Sequence, residues 1–195
     1  MEKPLILISN DDGYDAKGIN DLVEMVRKYG DIFVVAPDGG RSGAALSITC
    51  KDPVMVKLIK KEEGLTIYSC NGTPCDCVKM AFEKLLPRKP DLVLSGINHG
   101  DNSAVNVHYS GTMGVAIEAC MKGVSAIGFS SCKRESNASF EAMRPYIEVA
   151  DETNQMEELK VKKLEGERIL KAIKKDSFVV LLDLRGRMLN SVELS

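Results

Sequence analysis

The chain has no apolar run approaching the ~20 residues that a membrane-spanning helix needs, which argues against an integral membrane protein. It has no excess of one charge either. Its 26 Lys and Arg stand against 28 Asp and Glu, a net charge of −2, so a general affinity for nucleic acid or anionic membranes is not expected. Histidine is scarce, with only His99 and His108, and neither has a cysteine at ligand spacing. The six cysteines, Cys50, Cys70, Cys75, Cys77, Cys120 and Cys132, contain no CxxC pair, so zinc is not expected. Most of them lie in apolar runs, where a free thiol packs as a small hydrophobe, and reduced thiols in a cytoplasmic protein are the expectation. The opening MEKPLILISN carries one Lys and a short apolar run that ends in polar residues, which reads as a first strand rather than a signal peptide. What is present is an apolar fraction of 44% and a charged fraction of 28% over 195 residues, enough for one α/β domain with a proper core.

Alternation of strand and helix patterns gives the fold class. Residues 5–9 form an apolar run typical of a strand buried on both faces, and Ile19, Leu22, Val23 and Val26 follow the spacing of an amphipathic helix. A second buried strand is expected at 32–36, stopped by Pro37 and the loop DGGRSG. Two short strands follow at 54–59 and 65–70, with KKEEG as their hairpin connection. Thr73 and Pro74 read as N-cap and first position of a helix that Pro87 ends. A strand at 92–95, a helix from about 110 to 122 stopped by Gly123, and a strand at 126–129 complete the series. The prediction is α/β: a Rossmann-like, mostly parallel sheet with helices on both faces, followed by a C-terminal helix–strand tail. That tail changes character near Arg144. About half of residues 151–175 are charged, a long helix is expected through Leu164, Leu170 and Ile173, and a buried strand at 178–184.

In a parallel sheet, ligands bind beyond the carboxyl ends of the strands. Three strand ends here carry polar clusters: Asn10-Asp11-Asp12-Gly13, Asp38-Gly39-Gly40-Arg41-Ser42-Gly43, and Gly96-Ile97-Asn98-His99-Gly100-Asp101-Asn102. Adjacent carboxylates after a buried strand are costly to desolvate unless a metal ion, an Arg or a helix N-terminus meets them. Two carboxylates, a hydroxyl and an amide oxygen brought together at one edge would be a hard-oxygen set suited to Mg²⁺ or Mn²⁺. Tyr109-Ser110-Gly111-Thr112 at a helix start would add a phosphate cradle. Each piece also has a plain reading. Asp-Asp-Gly makes turns and helix caps, Ser-Gly-Thr caps helices, Asn98 forms turns, and His99 and His108 occur as ordinary hydrogen-bonded or surface residues.

NDDG near the N-terminus, then APDGGRSG, GTPCDCV and SGINHGDNSAVNVHYSGTMGVAIEA, in this order, resemble the survival protein SurE family over residues 5–147. The resemblance implies a metal-dependent 5′/3′-nucleotidase with a Rossmann-like core, which hydrolyses nucleoside monophosphates to nucleoside and phosphate. By that resemblance Asp11, Asp12, Ser42 and Asn98 match the ligands of one divalent ion, Mg²⁺ or Mn²⁺. Asp11, Asp12 and Asn98 fall in the catalytic set. Asn10, Ser110, Gly111 and Thr112 match the substrate and phosphate side. His108 is the nearest residue by type for protonating the leaving oxygen, with water as the alternative.

The tail departs from that family. Residues 148–195, with KLEGERILKAIKKDSFVVLLDLRGRMLNSVELS, resemble an internal fragment of ribosomal RNA large-subunit methyltransferase H. They stand where SurE proteins carry a further strand and an arm used in assembly. The implied organisation is a SurE-like core at 1–147 and a methyltransferase-H-like helix–strand fragment at 148–195 docked on it. The knotted S-adenosylmethionine site of that second family would lie beyond Ser195, so methyl transfer is not expected. The expected partner is a nucleoside monophosphate, without membrane or nucleic acid. A homodimer is open, although the assembly arm is absent. The rival expectation is a chimera that binds metal and nucleotide without turning it over.

Overall fold

A computed structural model describes residues 3–132, 139–152 and 177–182 of the chain. Its centre is β1 (Leu5–Ser9), whose five residues are all buried because parallel neighbours flank it and helices cover both faces. β2 (Asp31–Pro37) lies on one side of β1 and β5 (Leu92–His99) on the other. β4 (Leu65–Cys70) pairs parallel with β2, and β3 (Val56–Glu62) closes that edge antiparallel to β4. Beyond β5 come β6 (Ala126–Ser131), parallel, and β7 (Ser177–Leu182), antiparallel. The order is β3-β4-β2-β1-β5-β6-β7, so the mostly parallel expectation holds for the centre of the sheet.

Two apolar cores sandwich it. Below, α1 (Lys17–Val26) lays Ile19, Leu22, Val23, Met25 and Val26 on Ile6, Ile8, Ile32 and Leu94, joined by Ile147 of α4 (Arg144–Glu152). Above, Val78 of α2 (Pro74–Met80) and Val115, Ala116 and Ala119 of α3 (Gly111–Met121) pack on Leu7, Val35, Val93 and Ala126. α2 and α3 are also joined by Lys79 and the buried Glu118, with Nζ to carboxylate 2.7 Å. Gly123, with φ +75°, ends α3 as the sequence predicts, because its left-handed conformation carries no Cβ penalty.

Three boundaries move. β3 runs to Glu62, through the lysines read as a connection, and the turn shrinks to Glu63-Gly64. Lys57, Lys60 and Lys61 are exposed there, as suits an edge strand that must not recruit another chain. α2 stops at Met80 and a π-helical turn, Ala81–Leu85, carries the chain on to Leu86. β5 continues past Ser95 to His99 by means of a bulge: Ser95 pairs with Gly128 and Asn98 with Ser130, one residue more on β5 than on β6. The bulge changes the phase of the strand. Leu94 and Ile97, three residues apart, both enter the lower core, which sends Asn98 to the upper face.

The tail strand expected at 178–184 is β7, six residues paired with all of β6 from Ala126–Leu182 to Ser131–Ser177. The expected helix through Leu164, Leu170 and Ile173 lies outside the described residues. Since β7 closes an otherwise open sheet edge, a tryptic cut within 153–176 is expected to leave the β7 fragment bound to the core in gel filtration. A stable core eluting without that fragment would show that β7 is not held.

Candidate functional site

The carboxyl ends of β2, β1 and β5 are adjacent, so the three polar clusters meet at one edge. A cavity of about 540 Å³ opens there, with Asp11, Ser42, Asn98, His99 and Ser110 on its wall. The Asp pair after β1 is held by a tight turn: the Asn10 amide donates to the Gly13 carbonyl and its oxygen accepts from the Gly13 N–H. Asn10 is 1% exposed, so its side chain is committed to this turn and supports the cavity from behind.

Asp11 is 5% exposed. The Thr112 hydroxyl donates to its Oδ1 at 2.7 Å, and its carbonyl accepts the Arg41 N–H at 2.6 Å. Gly111 lies flat against it: a Cβ there would come 2.5 Å from Asp11 Cβ. The start of α3 is therefore seated directly on the first aspartate. Ser110 caps α3, its hydroxyl accepting from the Met113 N–H at 3.1 Å. Burial pushes the Asp11 carboxyl above its ordinary range; the Thr112 bond pulls it back and the Asp12 charge raises it again. Asp12 is raised by burial and lowered in part by the neighbouring His99. Among the described residues no Lys or Arg forms an ion pair with either aspartate.

Asp11 shares the cavity wall with Ser42 and Asn98, while Asp12, the next residue, is partly desolvated but is not on that wall. With no Lys or Arg paired to either carboxylate among the described residues, these oxygen donors fit a hard divalent ion. Among the described residues no three of His, Cys, Asp and Glu gather in a softer or richer metal site.

Of the residues read from sequence, Asp11, Ser42, Asn98 and Ser110 are brought to one wall, and Gly111 and Thr112 sit behind Asp11. His108 ends the single-turn helix Ala104–His108 and is not on the cavity wall, whereas His99 is. The His99 ring lies 4.5 Å from that of Phe140, and its Nδ1 is buried without a hydrogen-bond partner among the described residues. Asp101, Asn102, Asn106 and Tyr109 complete the wall. Asp101, Asn102 and Asn106 are signalled in the sequence by the run of polar residues after Asn98, and Tyr109 by the helix start at Ser110.

The profile of the family described as Survival protein SurE matches residues 6–174. The chain belongs to the SurE family. It is 58% identical over 146 residues to a Phocaeicola vulgatus protein named 5′-nucleotidase SurE, a match covering 75% of this chain and 57% of that protein. The protein of the same name from Bacteroides thetaiotaomicron is likewise 58% identical over 146 residues, covering 75% and 56%. The crystal structure of the SurE protein from Aquifex aeolicus superposes with a TM-score of 0.70 at 38% identity, over 78% of this chain and 61% of that one. The chain thus spans a little over half the length of the curated SurE relatives it matches.

Proposed function

We propose that this chain hydrolyses nucleoside 5′- and 3′-monophosphates to nucleoside and phosphate, using one Mg²⁺ or Mn²⁺ ion held by Asp11, Asp12, Ser42 and Asn98. The observation that carries this reading is the convergence of Asp11, Ser42, Asn98 and Ser110 on a single cavity at the carboxyl edge of a parallel sheet. The relatives named 5′-nucleotidase SurE support the substrate class. When bound, the ion supplies Lewis acidity toward a phosphoryl oxygen and lowers the pKa of water in its shell.

The protein's own groups do the positioning. At the start of α3 the Met113 N–H is taken by Ser110 and the Gly111 amide meets the Asp11 carboxylate, so the Thr112 N–H and the helix dipole are what the first turn offers an anionic oxygen. Thr112 contributes there through its backbone, because its hydroxyl is donated to Asp11. That bond orients the carboxylate and fixes which oxygen remains open to the cavity. Of the two imidazoles only that of His99 is on the cavity wall, so His99, with water as the alternative, replaces His108 as the group to meet the leaving oxygen.

The decisive assay is phosphate release from 5′-AMP and 3′-AMP with Mg²⁺ or Mn²⁺, with a chelated control. Release with either ion and none after chelation is expected. Thermal stabilisation by Mn²⁺ and AMP without release would leave a binding module instead, and neither response would overturn the reading. A cytoplasmic location goes with the reading, supported by the buried thiols Cys70, Cys75 and Cys77, which form no disulfide. So does a homodimer, as the symmetry of most soluble oligomers favours. We also keep residues 148–195 as a fragment of separate ancestry, supported by curated matches of 146 residues against a chain of 195, although the SurE profile itself runs on to residue 174.

A further inference from the structure

Ser42 belongs to a long stretch between β2 and β3 that has no helix or strand of its own. Side chains at Gly39 and Gly43 would meet nothing within 4 Å, so packing alone does not fix its first part. What fixes it is a set of polar ties: the Arg41 guanidinium donates to the Asn71 carbonyl at 3.1 Å and the Met55 N–H to the Asn71 amide oxygen at 2.8 Å, while the middle of the loop is tied to one short helix and its N-cap. Asp76, in the first turn of α2, accepts the Thr49 N–H at 3.0 Å and the Thr49 hydroxyl at 2.6 Å. The same carboxylate accepts the Thr73 N–H at 2.9 Å, and the Thr73 hydroxyl donates to the Ser47 carbonyl at 2.7 Å. The Cys75 thiol approaches the Ala45 carbonyl at 3.8 Å. At its other end the loop is tied to the site itself, through the Arg41 N–H and the Asp11 carbonyl.

Asp76 is buried, and no Lys or Arg pairs with it among the described residues. Its charge is satisfied by N–H and O–H donors alone, two of the three being on Thr49. A helix cap needs only the Thr73 part of this arrangement. The Thr49 part serves the loop.

We infer that Asp76, through Thr49, is a positioning residue for Ser42: it clamps the far end of the loop on α2, so that Ser42 is held at the cavity wall beside Asp11. This rests on the metal reading proposed above, and it assigns to the GTPCDCV segment a task that helix capping does not cover. Partners bonded directly to a metal ligand typically govern affinity by ~10- to 100-fold, and the low end is expected for a clamp that acts on Ser42 along the loop from Thr49.

The test uses the full chain and the variants Thr49→Val, which leaves the cap intact, and Thr49→Ser, which keeps the hydroxyl. Two readouts are taken: tryptic cleavage after Arg41 and Lys51, and Mn²⁺ affinity by titration calorimetry. For Thr49→Val, cleavage at least ~10-fold faster and Mn²⁺ binding ~10-fold weaker are expected, both restored in Thr49→Ser. Unchanged cleavage in folded Thr49→Val would overturn the clamp whatever the metal does. Faster cleavage with unchanged Mn²⁺ affinity would overturn the link to Ser42. Wild-type protein that binds no Mn²⁺ would instead sink the metal reading, and with it the positioning role, while cleavage still decides whether the clamp exists. Asp76→Ala serves as the second variant, with accelerated cleavage expected because Oδ2, which accepts all three bonds, is gone.

Discussion

Asp11→Asn is expected to lower metal-dependent phosphate release from 5′-AMP by ~10²- to 10³-fold, which is about 3–4 kcal/mol of lost transition-state stabilisation. Its effect on the metal-free protein should have the opposite character. The wild-type carboxylate is buried, lies beside Asp12 and has no cation among the described residues, so folding without metal meets its desolvation cost and the like-charge repulsion. Asn removes the charge and keeps an oxygen for the Thr112 hydroxyl. In the presence of chelator the variant should therefore melt no lower than wild type, while the rise in melting temperature on adding Mn²⁺ disappears. Calorimetry with and without Mn²⁺, alongside the phosphate assay, checks both halves. A variant that melts several degrees lower in chelator would mean that Asp11 is chiefly structural.

The largest stability effect is expected from Gly18→Ala. Two considerations point in opposite directions, and magnitude decides between them. Helix propensity favours Ala over Gly by ~1 kcal/mol in a helix interior. But Gly18 lies against the backbone of β5, where a Cβ would come 2.0 Å from the Ile97 carbonyl oxygen and 3.0 Å from its carbon. Backbone atoms of a central strand cannot step aside as the end of a flexible side chain can. α1 must therefore move away from the sheet and loosen the lower core, where overpacking costs ~1–3 kcal/mol or more. The steric term wins, and a fall of roughly 3–10 °C in melting temperature is expected for a chain of this size. Activity should fall as well, since Ile97 directly precedes Asn98. A Gly18→Ala protein melting at or above wild type would show that α1 does not press on β5 this closely.

The sequence carried the arrangement of the elements and much of the site, for identifiable reasons. Buried strands such as LILIS and the periodic face of α1 are period signals, and those survive in a single sequence. The Thr73–Pro74 cap is local chemistry and was legible for the same reason. What stayed hidden depends on partners far along the chain. β5 seemed to stop at Ser95 because its bulge breaks the alternation, and only pairing with β6 reveals that the strand goes on. The lysines of β3 looked like a turn because an edge strand exposes them, and only β4 opposite shows that they are paired. Within the site, residue types marked the polar strand ends and the SurE resemblance picked out Asp11, Ser42 and Asn98, but neither shows that Thr112 spends its hydroxyl on Asp11. Nor could spacing choose His99 over His108, because that choice depends on where β5 ends.

The bond between Thr112 and Asp11 joins positions 101 apart in the chain, and this separation orders events in time. Closing so long a loop is entropically slow compared with forming α1 or the β3–β4 hairpin. At ~5–20 residues per second, a ribosome takes several seconds to deliver Thr112 after Asp11. Until then the paired aspartates lie at the end of a strand with no helix seated on them. On the proposed metal reading, capture of an ion would be tied to completed topology, making it a late lock on the folded chain rather than a nucleus around which it folds.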